Sequence, residues 1–287
     1  MGASMSDLEA WVGREQVEDD RLDLFPARGM AALLDRDAAS LVEGTPLPAG
    51  WHWLWFKPLD RRSALGDDGH ARRGGFLPPV PLPRRMWAGG TLAFPGELRL
   101  GERVIRRSTI ESVEEKTGRT GRLVFVTVRH RVESVRGLAV DEAQHIVYRE
   151  AAAGGPGDGP PAPADAAWSD AFVADAITLF RFSALTFNSH RIHYDEPYAT
   201  RVESYPGPVV HGPLLALLLL DGATRHGGRA PAQFSYRALS PLFAGEPFLI
   251  EGDAPPAANT SGSCELWIAG PRGLATRATA QWEGGTV

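Results

Sequence analysis

The sequence predicts a strand-rich α+β protein built from two similar halves. Three observations point there. First, 32 glycines and 23 prolines in 287 residues punctuate the chain too often for long helices and suit many turns between strands. Second, the stretch 151–166 has no large apolar side chain, so burial cannot offset the entropy of ordering it, and it reads as a linker. Third, similar phrases flank that linker: Leu98-Arg99-Leu100-Gly101-Glu102-Arg103-Val104-Ile105 and Leu242-Phe243-Ala244-Gly245-Glu246-Pro247-Phe248-Leu249. Each puts a Gly-Glu turn before a β-rich segment, which suggests an internal duplication. The length also fits two domains, expected at 1–150 and 168–287 with a linker at 151–167.

The elements follow in order. Residues 5–21 place Leu8, Trp11 and Val12 at helical spacing, and 26–39 do the same with Met30, Leu33 and Leu34, so two short amphipathic helices are expected. Aromatic residues alternate from Trp51 to Phe56, which predicts a strand with Trp51, Trp53 and Trp55 on one face, an aromatic core face. The run Leu123–Val128 is rich in β-branched and aromatic residues and predicts a largely buried strand. Leu214–Leu220 is apolar all round and predicts a buried helix. Cys264–Ala269 and Ala275–Trp282 partly alternate apolar and polar residues and complete the second half as strands.

Composition narrows the function. A net charge of −5 leaves no overall basic footprint for nucleic acid, although Arg61, Arg62, Arg72, Arg73, Arg84 and Arg85 make one stretch locally positive, which would suit a phosphorylated substrate such as a coenzyme A ester. The lone Cys264 has no disulfide partner, which points to a reducing compartment. The acidic N-terminal stretch does not resemble a leader peptide, and the longest apolar run stops at Asp221, short of the roughly 20 residues a membrane span needs. A cytoplasmic protein with no membrane partner is expected.

The chemistry concentrates at 181–195 and 208–213, where His190, His193 and Asn188 precede Val209-Val210-His211-Gly212-Pro213 at the head of the apolar run. Imidazole exchanges protons near neutral pH. Backbone N–H groups at a helix start lack intrahelical partners and suit a developing oxyanion, with Gly212 a better donor than Pro213, which has none. His190 and His193 have no Glu or Cys at a standard zinc spacing, so no metal is expected. Gly-rich phosphate loops and a Gly-x-Ser-x-Gly elbow are also missing.

This pair of motifs resembles the MaoC-like hydratases and type 2 3-hydroxyacyl-thioester dehydratases. Their signature runs Asp-x-Asn-Pro-aliphatic-His-x-Asp. Here Asn188 stands at the catalytic Asp position, His190 at the Asn, Arg191 at the Pro, Ile192 at the aliphatic place, His193 at the catalytic His and Asp195 at the close. The form is similar to the branch holding the mitochondrial-type dehydratases and the mesaconyl- and itaconyl-CoA hydratases. In that branch, the N-terminal segment also looks like Gly74–Gly90 here. The resemblance implies a double hot-dog fold, two antiparallel sheets each wrapping a central helix, with the catalytic loop kept only in the second half. It implies reversible hydration of an enoyl-CoA by His193, with Asn188 holding water and the Gly212 amide polarising the thioester. Candidate substrate contacts are His190, His211, Arg181, Arg191, Arg84, Arg85 and Trp87. Coenzyme A is part of the substrate and no separate cofactor is implied; a homo-oligomer is left open. The rival readings are a hot-dog thioesterase, disfavoured by Asn188 where a carboxylate would activate water, and a non-catalytic acyl-CoA-binding protein.

Overall fold

The computed structural model describes residues 5–118, 121–150 and 157–284. The first half runs α1 (Met5–Glu9), β1 (Glu15–Arg21), α2 (Leu24–Leu33), β2 (Arg84–Ala93), β3 (Arg103–Gly118), β4 (Gly121–Ser134) and β5 (Gly137–Arg149). The second runs β6 (Trp168–Val173), α3 (Ala176–Thr186), α4 (Glu196–Arg201), α5 (Gly212–Gly227), β7 (Gln233–Ala238), β8 (Pro247–Gly252), β9 (Gly262–Gly270) and β10 (Gly273–Trp282). All ten strands form one sheet in the order β1, β3, β4, β5, β2, β7, β10, β9, β8, β6, and every pairing is antiparallel.

The order is the same counted inward from either edge, since β1, β3, β4, β5, β2 are repeated by β6, β8, β9, β10, β7. The recurring sequence phrases occupy matching places before β3 and β8. Gly101 and Gly245 both take left-handed φ values, 91° and 83°. Glu102 then accepts a hydrogen bond from the Arg99 N–H at 3.1 Å, and Glu246 one from the Phe243 N–H at 2.9 Å. Each glutamate also pairs with an arginine one hairpin later, Arg136 or Arg272. Those arginines in turn donate to the Glu97 carbonyl at 2.6 Å and the Pro241 carbonyl at 2.9 Å. A phrase eight residues long thus encodes a whole corner, and the chain builds that corner twice.

The halves are not identical, and two expectations need correction. The sheets are joined edge to edge through β2 and β7, from Gly89 opposite Arg237 to Ala93 opposite Gln233. Among the described residues, only the second half wraps a long helix. Leu214–Leu220, Gly222 and Ala223 of α5 are buried, packed against β2, β7, β8, β9 and β10. In the first half, Trp51–Leu54 form a 3₁₀ turn instead of the expected strand. Residues 51, 54 and 55 point into the core, while His52 and the Trp53 indole meet Glu142 at 3.0 and 2.9 Å, a spread of directions that a two-residue period cannot deliver. The three tryptophans do all join the core, as an aromatic wall packed through more than one face.

Three further differences are local. The expected helix over 5–21 stops at Glu9, because Gly13 turns the chain at φ 85°, and the charged run Glu15–Arg21 pairs instead as the edge strand β1. Charges suit an edge that must not recruit another strand. The helix expected at 26–39 starts at Leu24 and ends at Leu33. The linker from 157 onward is docked, with the Gly159 N–H bonded to Arg272 O and the Leu274 N–H to Pro160 O, both at 2.8 Å; 151–156 lie outside the described residues. Because α5 carries the core, Leu219→Ala, at a fully buried position, is expected to cost about 2–5 kcal/mol, measured by equilibrium denaturation.

Candidate functional site

The end of α3 sets the site. Phe187 takes a left-handed conformation at φ 53° and stops the helix. The Asn188 N–H closes back on Ser183 O at 2.9 Å, and the Asn188 side-chain oxygen accepts the His190 N–H at 3.0 Å. That local turn commits the Asn188 side-chain oxygen to the backbone. A 3₁₀ turn over Arg191–His193 follows, then α4, whose first turn Asp195 caps by accepting the Tyr198 N–H at 3.1 Å. Arg191 binds Asp195 through two nitrogens, at 2.9 and 2.7 Å, over the Tyr198 ring, so it braces the loop. Tyr194 donates to Ser189 O at 3.2 Å to the same end.

His193 is buried, and its Nδ1 lies 2.7 Å from the Val209 carbonyl. A carbonyl only accepts, so Nδ1 carries the proton and Nε2 holds a free lone pair. The His211 ring stacks on it at 3.7 Å between centroids and 18° between planes. His211 is wholly buried: its Nε2 contacts Ser183 Oγ at 2.9 Å and its Nδ1 has no partner. It is therefore a platform beneath His193. Gly212 opens α5, ahead of the first helical hydrogen bond from Leu215 N–H to His211 O. An added Cβ at Gly212 would stand 3.9 Å from the Trp87 carbonyl, which places β2 beside the helix start.

The first half supplies residues that the sequence did not reveal. The loop Gly66–His70 crosses onto the catalytic loop, where Asp68 O accepts the Arg191 N–H at 2.9 Å, Asp67 O accepts Arg191 Nη1 at 2.9 Å and Gly69 O accepts Ser189 Oγ at 2.5 Å. Gly69, at φ +88°, sits so close that a Cβ would fall 1.9 Å from Ser189 O. His70 is held by Asp68, Nδ1 to Oδ2 at 3.1 Å, and its ring lies 4.0 Å from that of His190, which stands edge-on to His193 at 5.4 Å. The sequence signal was faint: an Asp two residues before a His in an Asp-Gly turn, over a hundred residues from its partners.

Burial lowers the pKa of every histidine here. His193 is pushed down to about 4, opposed by its bond to Val209, and His190 to about 2, with the charges of His70 and His193 adding to burial. His70 and His211 are lowered for the same first reason. Burial alone would raise Asp68, but its bonds and attraction to His70 more than reverse this and keep it ionised. At neutral pH the row is uncharged, and His193 is ready to accept a proton. Asp68, His70 and His190 could offer three metal-ligand atoms within 4.8 Å of one another. However, His70 already gives Nδ1 to Asp68, and the charge of Arg85 bears on both histidines, which disfavours a dication.

The remaining arginines separate. Arg84 is buried against Glu203, with Nε 3.0 Å from the carboxylate and Nη2 2.9 Å from the carbonyl. Arg181 is exposed on α3. Arg85 is half-buried, opposite Tyr148 in the β2–β5 register. Trp87 packs edge-on against Trp53 at 5.1 Å and donates to Gly89 O at 3.1 Å.

Two outcomes follow. His193 has a folded pKa below its unfolded value, so between about pH 6.5 and about 4 the unfolded chain holds the extra proton. Stability is therefore full above that window and falls as pH drops through it, by roughly 1.4 kcal/mol per pH unit for each such histidine; thermal midpoints between pH 7 and 5 should show the slope, and His193→Gln should make it shallower by one histidine's share, with His70, His190 and His211 keeping theirs. Gly69→Ala should push the two loops apart and lower turnover about tenfold or more while the fold melts within a few degrees of wild type. Paired kinetic and calorimetric measurements check this.

Comparison with known proteins agrees with the geometry. The family model for hydroxyacyl-thioester dehydratase type 2 matches residues 50–244. Over 250 residues the chain is 47% identical to the mesaconyl-C(4)-CoA hydratase of Chloroflexus aurantiacus, covering 86% of this chain and 89% of that one. It is 28% identical to the mitochondrial hydroxyacyl-thioester dehydratase type 2 of Schizosaccharomyces pombe over 72% of this chain and 77% of the relative. Among solved structures, a MaoC-like dehydratase superposes with a TM-score of 0.75 at 15% identity, covering 97% of this chain and all of that one. A Mycobacterium tuberculosis protein described as having a double hotdog fold superposes at 0.58 and 14% identity over 98% and 99% of the two chains. The double hot-dog fold expected from the sequence is therefore present, and the chain belongs to the hydroxyacyl-thioester dehydratase type 2 family.

Proposed function

We propose that the chain reversibly hydrates a short enoyl-CoA, with a branched dicarboxylic acyl group such as mesaconyl-C4-CoA or itaconyl-CoA as its substrate. The observation that carries this is the fixed tautomer of His193, whose Nδ1–H is held by Val209 O at 2.7 Å and whose Nε2 is left basic beside the start of α5. In the forward direction, water oxygen bonds to the β-carbon while His193 Nε2 takes a water proton. The carbon–carbon π electrons move toward the α-carbon and the thioester carbonyl, whose growing charge the Gly212 N–H meets. The imidazolium then returns its proton to the α-carbon. The sum is addition of H and OH, with no redox step and no cofactor.

Asn188 cannot titrate, and its oxygen is occupied by the His190 N–H; its amide nitrogen remains to position water. His190 lies beside His193 as a substrate contact. The catalytic loop belongs to a domain at 168–287, and the domain at 1–150 supplies the facing wall, a linker over 151–167 joining them. Both halves come from one chain, so a second subunit is not needed to complete the site. Among the described residues no helix is long and apolar enough to cross a membrane, and the absence of any redox or membrane requirement suits work in the cytoplasm.

The test is an enoyl-CoA panel of crotonyl, mesaconyl-C4, itaconyl and longer thioesters, followed by loss of the conjugated thioester absorbance. Wild type should act on the dicarboxylic members, and His193→Ala should lower kcat by about 100-fold or more without loss of fold. Unchanged turnover in that variant would overturn the mechanism; release of free thiol in place of hydration would mark a thioesterase, and silence across the panel a binding protein.

A further inference from the structure

We propose that Arg85, together with the Tyr148 hydroxyl, forms the subsite that holds the free carboxylate of the acyl group. This rests on the dicarboxylic reading above and adds to it the residues that would enforce the choice. A mesaconyl-C4 chain carries its second carboxylate on the β-carbon, within two bonds of the atom water attacks. A carboxylate brought that close to a row of buried neutral histidines needs a cation and hydrogen-bond donors.

Among Arg73, Arg84, Arg85, Arg181 and Arg191, one is left for the task. Arg84 is bound to Glu203, and Arg191 to Asp195. Arg73 donates to the carbonyls of Val80 and Pro83 and lies over the Tyr148 ring, and Arg181 is exposed on α3. Arg85 has none of these commitments; its side-chain partner is the Tyr148 hydroxyl. On β2 it precedes Trp87 by one pleat repeat, so the two side chains leave the same face of the strand roughly 7 Å apart, and the Trp87 carbonyl is the atom nearest Gly212. β7 pairs with β2 only from Gly89 onward, so residues 84–88 have no strand covering them on that side. The charge of Arg85 reaches both His70 and His190.

Tyr148 supplies the second observation. It is wholly buried opposite Arg85 in the β2–β5 register, and its hydroxyl lacks a well-aligned hydrogen bond. Arginine has only donors, so Arg85 can never accept the phenol proton. A carboxylate seated between them accepts from both. It would accept the phenol proton and neutralise the guanidinium in one step.

Two unreactive thioesters isolate the claim from the chemistry. Succinyl-CoA places a carboxylate on its β-carbon, and butyryl-CoA places a methyl group there. Wild type should bind succinyl-CoA about 10- to 100-fold more tightly than butyryl-CoA by calorimetric titration. Arg85→Gln should abolish that preference, read as the ratio of the two affinities in the same variant, Arg85→Lys should restore part of it, and Tyr148→Phe should reduce it. Equal binding of the two ligands by wild type, or a preference that survives Arg85→Gln, overturns the subsite. Hydration is read separately on wild type with mesaconyl-C4-CoA and crotonyl-CoA, so loss of the proposed reaction and loss of the subsite are told apart.

Discussion

A helix that is apolar on every side must be covered on every side, and α5 imposes that demand on the whole molecule. Leu214 to Leu220 are all buried, and a flat sheet could cover only one flank of them. The sheet therefore curls, and strands of both halves close on the helix. Wrapping fixes where α5 begins. Val210 is hydrogen-bonded to Leu242 O and Val209 to Ile192 O, both at 2.8 Å, and the Val209 carbonyl then selects the His193 tautomer. Core packing thus reaches the proposed proton carrier through Val210 and Val209.

The duplication divides labour between halves that began with the same strand order. The second half keeps the long helix and the loop at its head. The first spends the corresponding stretch of chain differently: Trp51–Leu54 turn tightly, and His52 and Trp53 both satisfy Glu142, which is almost wholly buried. Freed of a helix to wrap, this half carries β3, β4 and β5 out to 16, 14 and 13 residues. A separate core of Val80, Leu82, Ile110, Val124, Val126 and Val128 packs on that extension. The segment 66–85 rides over it and delivers Asp68, His70 and Arg85 to the other half's histidines. In the proposed function the first half becomes the far wall of the active site.

What the sequence discloses follows the range of the interactions involved. The loop at 188–193 is legible because its turn is local, with Asn188 bonded to a backbone group two residues on, and the apolar run at 214–220 can only be a buried helix. The strand order is foreshadowed by the Gly-Glu corners, since a left-handed glycine and a capping glutamate lie side by side in the chain. By contrast, the 51–56 segment shows alternating aromatics whose partner, Glu142, is ninety residues away. The role of the arginines is set by equally distant carboxylates: Arg84 differs from Arg85 only in which face of β2 it leaves, and Glu203 claims the first. Neither spacing nor charge in the sequence separates that pair.

The row of histidines poses an electrostatic problem that the charge of the substrate resolves. Two buried and two half-buried imidazoles, held neutral by desolvation and by one another, make the site a poor place for a proton, and a base held near 4 is weak for work at neutral pH. Asp68 is the negative group of the row, and it is engaged with His70. An acyl carboxylate bound beside His190 places a new negative charge where an imidazolium must form, and opposite charges favour the protonated ring. Binding the carboxylated acyl group thus strengthens the proposed base that will act on it, whereas a neutral acyl chain leaves His193 near its resting value. In the proposed site, specificity for a carboxylated substrate and basicity of His193 become two effects of one charge.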